Sequence, residues 1–144
     1  MSVDEGGDPP CWAHLFDDEQ ACAARAERVV VVDAGATDTR GRSGVVWSLP
    51  HGGDLDANLV HLDPGGAIGA HVNDDVDVLV SVIAGRGHLV VDGTSFELHG
   101  DVLAMVPKGT RREVRAGGEG ITYLSIHRRR GPLAIGTKPE DLTR

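Results

Sequence analysis

Two short stretches hold the side chains best suited to chemistry. In "GAIGAHVNDDVDVLV", residues 66–80, an imidazole (His71), an amide (Asn73) and a carboxylate (Asp77) follow closely on one another; in "PKGTRREV", residues 107–114, Arg112 brings a guanidinium. An imidazole titrates near neutral pH and is the natural general acid or base. A guanidinium is permanently charged, offers five donors and no acceptor, and grips a carboxylate or phosphate through two parallel bonds. His71 and Arg112 are therefore the candidate catalytic pair, with Arg112 and Asn73 placed to stabilise a developing oxyanion or enolate. Isomerisation, cyclisation or lyase chemistry by such a set needs no metal. Alternatively, a bulge after Asp75 would turn Asp77 inward as an internal counter-ion for Arg112, since a buried guanidinium needs a partner.

Further candidates are spread along the chain. Asn58 stands among apolar residues in "DANLVHL" and either satisfies a backbone group or faces a ligand. Trp47 and Met105 are candidate core or pocket walls in a chain with two Trp, two Phe and one Tyr. His127 shares a face with Tyr123 and Ser125 by strand alternation and would stand at a barrel mouth. His61 is a weaker candidate, and His88 and His99 lie beside turns and read as solvent-exposed. Strand alternation also puts Arg112 and Val114 on one inner face and Arg111, Glu113 and Arg115 outside. No Ser-His-Asp order, phosphate loop or cysteine nucleophile emerges, and Cys11 and Cys22 fit no metal or redox spacing.

The elements that must position these groups are strands. Twenty glycines, seven prolines and short valine-rich runs mark many tight turns. Ten strand candidates follow in close order: "VVVVDAG", "GVVWSLP", "DANLVHLDPGG", "AIGAHV", "DVLVSVIAGRG", "HLVVDG", "TSFELHGD", "VLAMVPKG", "RREVRAGG" and "ITYLSIH". That number predicts a sandwich or barrel. Asp92-Gly93 between two alternating runs is a strong hairpin signal, and "DPGG" and "GRG" (85–87) read as turns. Ahead of the strands, "FDDEQACAARAER" predicts one short helix, with Asp17 as N-cap and Gln20 as its capping-box partner.

A chain of 144 residues with these signals suits one domain. Its net charge of -8 argues against a nucleic-acid partner, although seven of the 14 basic residues crowd into residues 108–130 against Glu113 and Glu119 alone. No apolar stretch approaches the length of about 20 residues that a bilayer requires. The start "MSVDEGGDPP" lacks the charged and apolar halves of a secretory leader, so the expectation is a cytoplasmic protein with no membrane partner.

The order of turns and ligand-type residues between about residues 44 and 128 resembles the cupin superfamily, whose double-stranded β-helix, a jelly-roll barrel, closes over a pocket. The family's first motif runs from a glycine through His-x-His and a glutamate to another glycine; here "PGG" leads to His71, Asn73 stands at the second His, Asp77-Val78 at the Glu, and Gly85 closes the motif. Its second ends in Pro-x-Gly-x-x-His; here Gly100, Pro107 and Gly109 match, and Arg112 stands at the His. The resemblance implies an all-β cupin barrel with one short N-terminal helix: a disordered segment at 1–10, the barrel domain with its helix at 11–130, and a tail at 131–144. It also implies a pocket in which metal donors have largely been exchanged for hydrogen-bonding groups.

Three functions follow as expectations. The first is a cupin with a metal-poor pocket and no cofactor, binding a small, acidic or carbonyl-bearing molecule as sensor, carrier or metal-independent isomerase, cyclase or lyase. Its ligand-binding set is His71, Asn73, Asp77, Arg112, Asn58, His127, Trp47 and Met105. The second is an enzyme of dioxygenase or isomerase type using a divalent metal (Fe, Mn, Ni or Zn) held by His71 with Asn73 or Asp77. The third is a structural or regulatory dimer with a vestigial pocket. Strand edges that need cover point to a homodimer in any of these cases.

Overall fold

The computed structural model describes residues 29–50 and 53–130. The predicted helix at 16–28, the segment at 1–10 and the tail at 131–144 lie outside the described residues. Among the described residues the fold is all-β, with a single 3-10 turn at Ala34–Ala36. Seven strands carry it: β1 (Gly44–Ser48), β2 (Leu55–Leu62), β3 (Ala67–Val72), β4 (Val78–Val91), β5 (Thr94–His99), β6 (Leu103–Val106) and β7 (Arg111–Arg128). All belong to the compact unit that starts at Asp33.

Ten candidate strands become seven for two physical reasons. Residues 29–32 have the β-branched side chains of a strand but form none, because β propensity reflects packing within a sheet rather than an intrinsic backbone preference. Asp33 then starts a turn, its carboxylate accepting from the Ala36 N–H at 3.1 Å. The other two losses are mergers. "GRG" is not a turn: β4 runs through it, with register shifts at Val82/Ala84 and Gly85/Gly87. "RREVRAGG" and "ITYLSIH" likewise form one 18-residue strand, β7.

These two long strands organise everything else. The first half of β4 pairs with β6 on one side and with Ile121–Ile126 of β7 on the other; its second half pairs with β5 and with Arg112–Ala116 of β7. β2 joins the later half of β7 and β1 joins β2, whereas β3 joins the earlier half of β7. One half-sheet is thus β1, β2, late β7, early β4 and β6. The other is β3, early β7, late β4 and β5. Valines at alternate positions fill the space between them: Val78, Val80 and Val82 of β4 are buried, with Leu89, Val114, Ile121 and Tyr123 from the two strands.

Both strands bend where backbones touch. Gly85 has φ +82°, and a Cβ there would overlap the Gly120 carbonyl oxygen; one at Gly87 would overlap that of Arg115. Asp92 and Gly93, at φ 47° and 84°, make the expected hairpin turn joining β4 to β5. The contrast between two glycines is testable by denaturant unfolding. Gly85→Ala should lower stability by more than about 2 kcal/mol, because left-handed strain and overlap add, whereas Gly93→Ala should lower it by about 1 kcal/mol through strain alone. Nothing lies within 4 Å of a Cβ at Gly93.

Candidate functional site

A cavity of about 170 Å³ lies between the half-sheets. Its wall is mainly aliphatic: Val45, Val60, Ile68, Val78, Val80, Leu89 and Val114. Five polar side chains interrupt that wall, and strand pairing sets their places. His71 of β3 stands opposite Arg112 of β7. From the facing half-sheet, Asn58 of β2 stands opposite Ser125 of β7, with Tyr123 two residues earlier on the same face.

Arg112 points inward because alternation along β7 puts it with buried Val114, leaving Arg111 and Arg115 exposed. Its Nη1 is buried and has no hydrogen-bond partner among the described residues. Burial pushes the guanidinium pKa below its ordinary value, with Tyr123 opposing that shift and Arg130 adding to it. Arginine nevertheless stays charged in proteins, so the cavity holds a partly desolvated cation. Arg115, by contrast, pairs with Glu113 at 2.6 Å on the surface, where such a bond contributes little.

Tyr123 is 6% exposed, and burial pushes its pKa up to about 12, partly countered by Arg112. At neutral pH it is therefore a hydroxyl, able to donate to an anion beside Arg112. His71 is exposed at the edge of the cavity, its Nδ1 2.9 Å from the Gly69 carbonyl oxygen. A carbonyl only accepts, so Nδ1 carries the proton and the neutral ring keeps its lone pair on Nε2. Asn58 accepts from the Ser48 hydroxyl at 2.7 Å through Oδ1, which leaves its amide N–H groups as donors.

The structure thus brings together His71, Arg112 and Asn58 and leaves out five other candidates. Asn73 is buried but is a turn former: its Oδ1 accepts from the backbone N–H of Asp75 at 3.1 Å and of Val76 at 3.4 Å. Asp77 is exposed and accepts from the Lys108 N–H at 2.9 Å. No bulge turns it inward, because Val76 and Val78 on either side are both buried, and the expected pair with Arg112 is not formed. Trp47 faces away from the cavity: β1 slips register between Val45 and Trp47, so Val45 stands opposite inward Val60 and Trp47 opposite Leu59 on the other face. Met105 pairs with Leu79 on the outer face and is 60% exposed. His127 lies past Ser125, with Nδ1 donating to the Arg128 carbonyl oxygen at 2.8 Å. Among the lesser candidates, His61 lies 2.8 Å from the Thr122 hydroxyl and 3.4 Å from Asp63, outside the cavity wall, while His88 and His99 are exposed.

Tyr123 and Ser125 are the cavity residues that the list of site candidates lacked. The signal was their alternation in "ITYLSIH", but only the facing of the half-sheets aims that alternation at Arg112. A divalent metal does not fit this donor set. Of the wall residues only His71 is a good ligand, and a cation at the next cupin position opposes another at the centre. Among the described residues, no group of three or more His, Cys, Asp or Glu could hold a metal ion.

The raised Tyr123 pKa carries a pH signature. A folded value of about 12 against an ordinary 10.0 means that its contribution is fully present below about pH 10 and is lost as pH rises towards 12. Melting temperature should therefore fall over that range more steeply in the wild type than in Tyr123→Phe, as read by thermal melts at stepped pH.

Comparison with known proteins agrees with this architecture. The family model for the cupin domain matches residues 58–127. No curated protein is significantly similar to the chain. Among solved structures, BH2720 of Bacillus halodurans is similar at 24% identity and TM-score 0.62, over 72% of this chain and 83% of its own. A Klebsiella pneumoniae protein with a double-stranded β-helix domain aligns at 17% identity and TM-score 0.60, over 69% of this chain and 90% of its own. A cupin protein of Bacteroides fragilis aligns at 21% identity and TM-score 0.51, over 62% and 76%. These likenesses show the fold, and residues 58–127, just under half of the chain, match the cupin-domain family.

Proposed function

We propose that this cupin binds a small anionic molecule, a carboxylate, in its barrel cavity through Arg112, without a metal. The observation that supports this most directly is the Arg112 Nη1, buried in the cavity wall without a hydrogen-bond partner among the described residues. A buried donor on a charged group left unpaired is destabilising, and a ligand carboxylate supplies the missing acceptor and the missing charge together. Tyr123 adds a neutral donor, and the aliphatic wall excludes water and so strengthens the pairing. His71 Nε2 then stands as a free base at the edge of the site, which suits a sensor or carrier and also a metal-independent isomerase, cyclase or lyase.

Calorimetric titration with straight-chain monocarboxylates, beside thermal melts, tests this reading. Arg112→Lys should lower affinity by about 1–3 kcal/mol by losing the planar fork, and Arg111→Lys should matter much less. Arg112→Leu should abolish binding yet raise the stability of the free protein by about 1 kcal/mol or more, because an unpaired buried donor is removed. Failure of every acid to bind would overturn the proposal. So would stoichiometric iron, manganese, nickel or zinc in protein purified without chelator, lost in His71→Ala.

We also infer a homodimer. Leu79, Leu103 and Met105 are 39%, 66% and 60% exposed, and β4–β6 pairing puts them together on the outer face of one half-sheet, an apolar patch that a second copy would cover. Sedimentation should give a dimer at micromolar concentration, and Met105→Glu should shift it to monomer. A wild-type monomer throughout would remove the inference.

A further inference from the structure

The cavity is polar at two places on opposed walls, and the two differ in kind. At one, on the half-sheet of β3 and early β7, stands Arg112, the only permanent charge in the wall among the described residues. At the other, on the half-sheet of β2 and late β7, Asn58 and Ser125 stand side by side. The Asn58 Oδ1 accepts from the Ser48 hydroxyl, and what the amide adds beyond that bond is its N–H donors. The rest of the wall is mainly aliphatic, Val60, Val80, Leu89 and Val114 among it, with His71 beside Arg112 and Tyr123 on the half-sheet of Asn58.

Resting on the reading of Arg112 as a carboxylate anchor, we infer that the ligand is a short monocarboxylate carrying one further uncharged oxygen, an oxo or hydroxy acid, with that oxygen accepting from Asn58. Three constraints meet in this class. A cavity of about 170 Å³ holds the equivalent of about six water molecules, which limits the ligand to a short chain. A single cation in the wall pairs a single carboxylate; a second carboxylate, or a phosphate dianion, would leave a negative charge against valines. A donor opposite the cation favours an oxygen with free lone pairs, and the Asn58 N–H cannot bond an ammonium group, so an amino acid gains nothing from Asn58 and places a second cation opposite Arg112. Ser125, able to donate or accept, allows a hydroxyl as well as a carbonyl there.

The test is calorimetric titration of the full chain with pentanoate, 2-oxopentanoate, 4-oxopentanoate, glutarate and 5-aminopentanoate. At least one oxo acid should bind about threefold to tenfold more tightly than pentanoate, the effect of one neutral hydrogen bond. Glutarate and 5-aminopentanoate should bind more weakly than pentanoate. Asn58→Ala, checked by thermal melt, should bring the oxo acid down to the affinity of pentanoate, and Asn58→Asp should reverse the order so that 5-aminopentanoate exceeds the oxo acids. Equal binding of pentanoate and both oxo acids, an oxo preference that survives Asn58→Ala, or tightest binding by glutarate overturns this inference while the Arg112 anchor stands. If none of the five acids binds, the Arg112 anchor itself fails, and this inference with it.

Discussion

The constraint on which the rest of the molecule depends is the close passage of β4 and β7. Each strand belongs to both half-sheets, and each bends beside the other, with Gly85 against Gly120 and Gly87 against Arg115. No side chain fits between those backbones. The bends turn the two halves of β7 towards a common space, so Arg112 and Val114 from one half face the cavity that Tyr123 and Ser125 enter from the other. The cavity is thus a consequence of how two strands cross, and its polar groups come from residues far apart on one strand.

Within that space the balance of forces is uneven. Valine, leucine and isoleucine side chains make most of the cavity wall apolar, and an apolar wall makes each remaining polar group more consequential. Burial lowers the pKa of Arg112 and raises that of Tyr123, each opposing the charged form, while the attraction between a guanidinium and a phenolate partly offsets both. The stable arrangement at neutral pH is a cation beside a neutral hydroxyl. Such a pair carries one positive charge with no carboxylate in the cavity wall among the described residues, and the proposed acid ligand answers that charge.

The residues at the expected metal positions have found other work. The Asn73 side chain folds back to hold the turn leading into β4, and the Asn73 backbone carbonyl oxygen accepts from the Gly109 N–H at 2.8 Å. Asp77 ties the same region to Lys108, and Arg128 donates to the Asp75 carbonyl oxygen at 3.0 Å. One amide, one carboxylate and one guanidinium thereby brace the segment between β3 and β4 against the loop before β7 and the end of β7 itself. The segment is a structural brace at one end of the barrel.

The all-β class, the Asp92-Gly93 hairpin, the "DPGG" turn and the inward facing of Arg112 with Val114 could be read from residue type and alternation, because turn chemistry and period-two patterning are local. The mergers were not legible in the same way. A glycine pair in "GRG" is equally good chemistry for a turn and for a strand pressed against another backbone, and only the neighbour at Gly120 decides between them. Trp47 shows the same limit: alternation puts it beside Val45, and a one-residue slip against β2 turns it to the opposite face. The alternative of an inward Asp77 answering the charge of Arg112 needs a bulge after Asp75, and the burial of Val76 and Val78 on either side leaves Asp77 exposed instead. The sequence by itself determined which residues are strand formers, which turn, and which side chains carry chemistry, since these depend on near neighbours along the chain. Tertiary structure alone decided which of them share a cavity, because the meeting of His71, Arg112, Tyr123 and Asn58 depends on register and on the angle of two bent strands, and neither is a property of any local stretch.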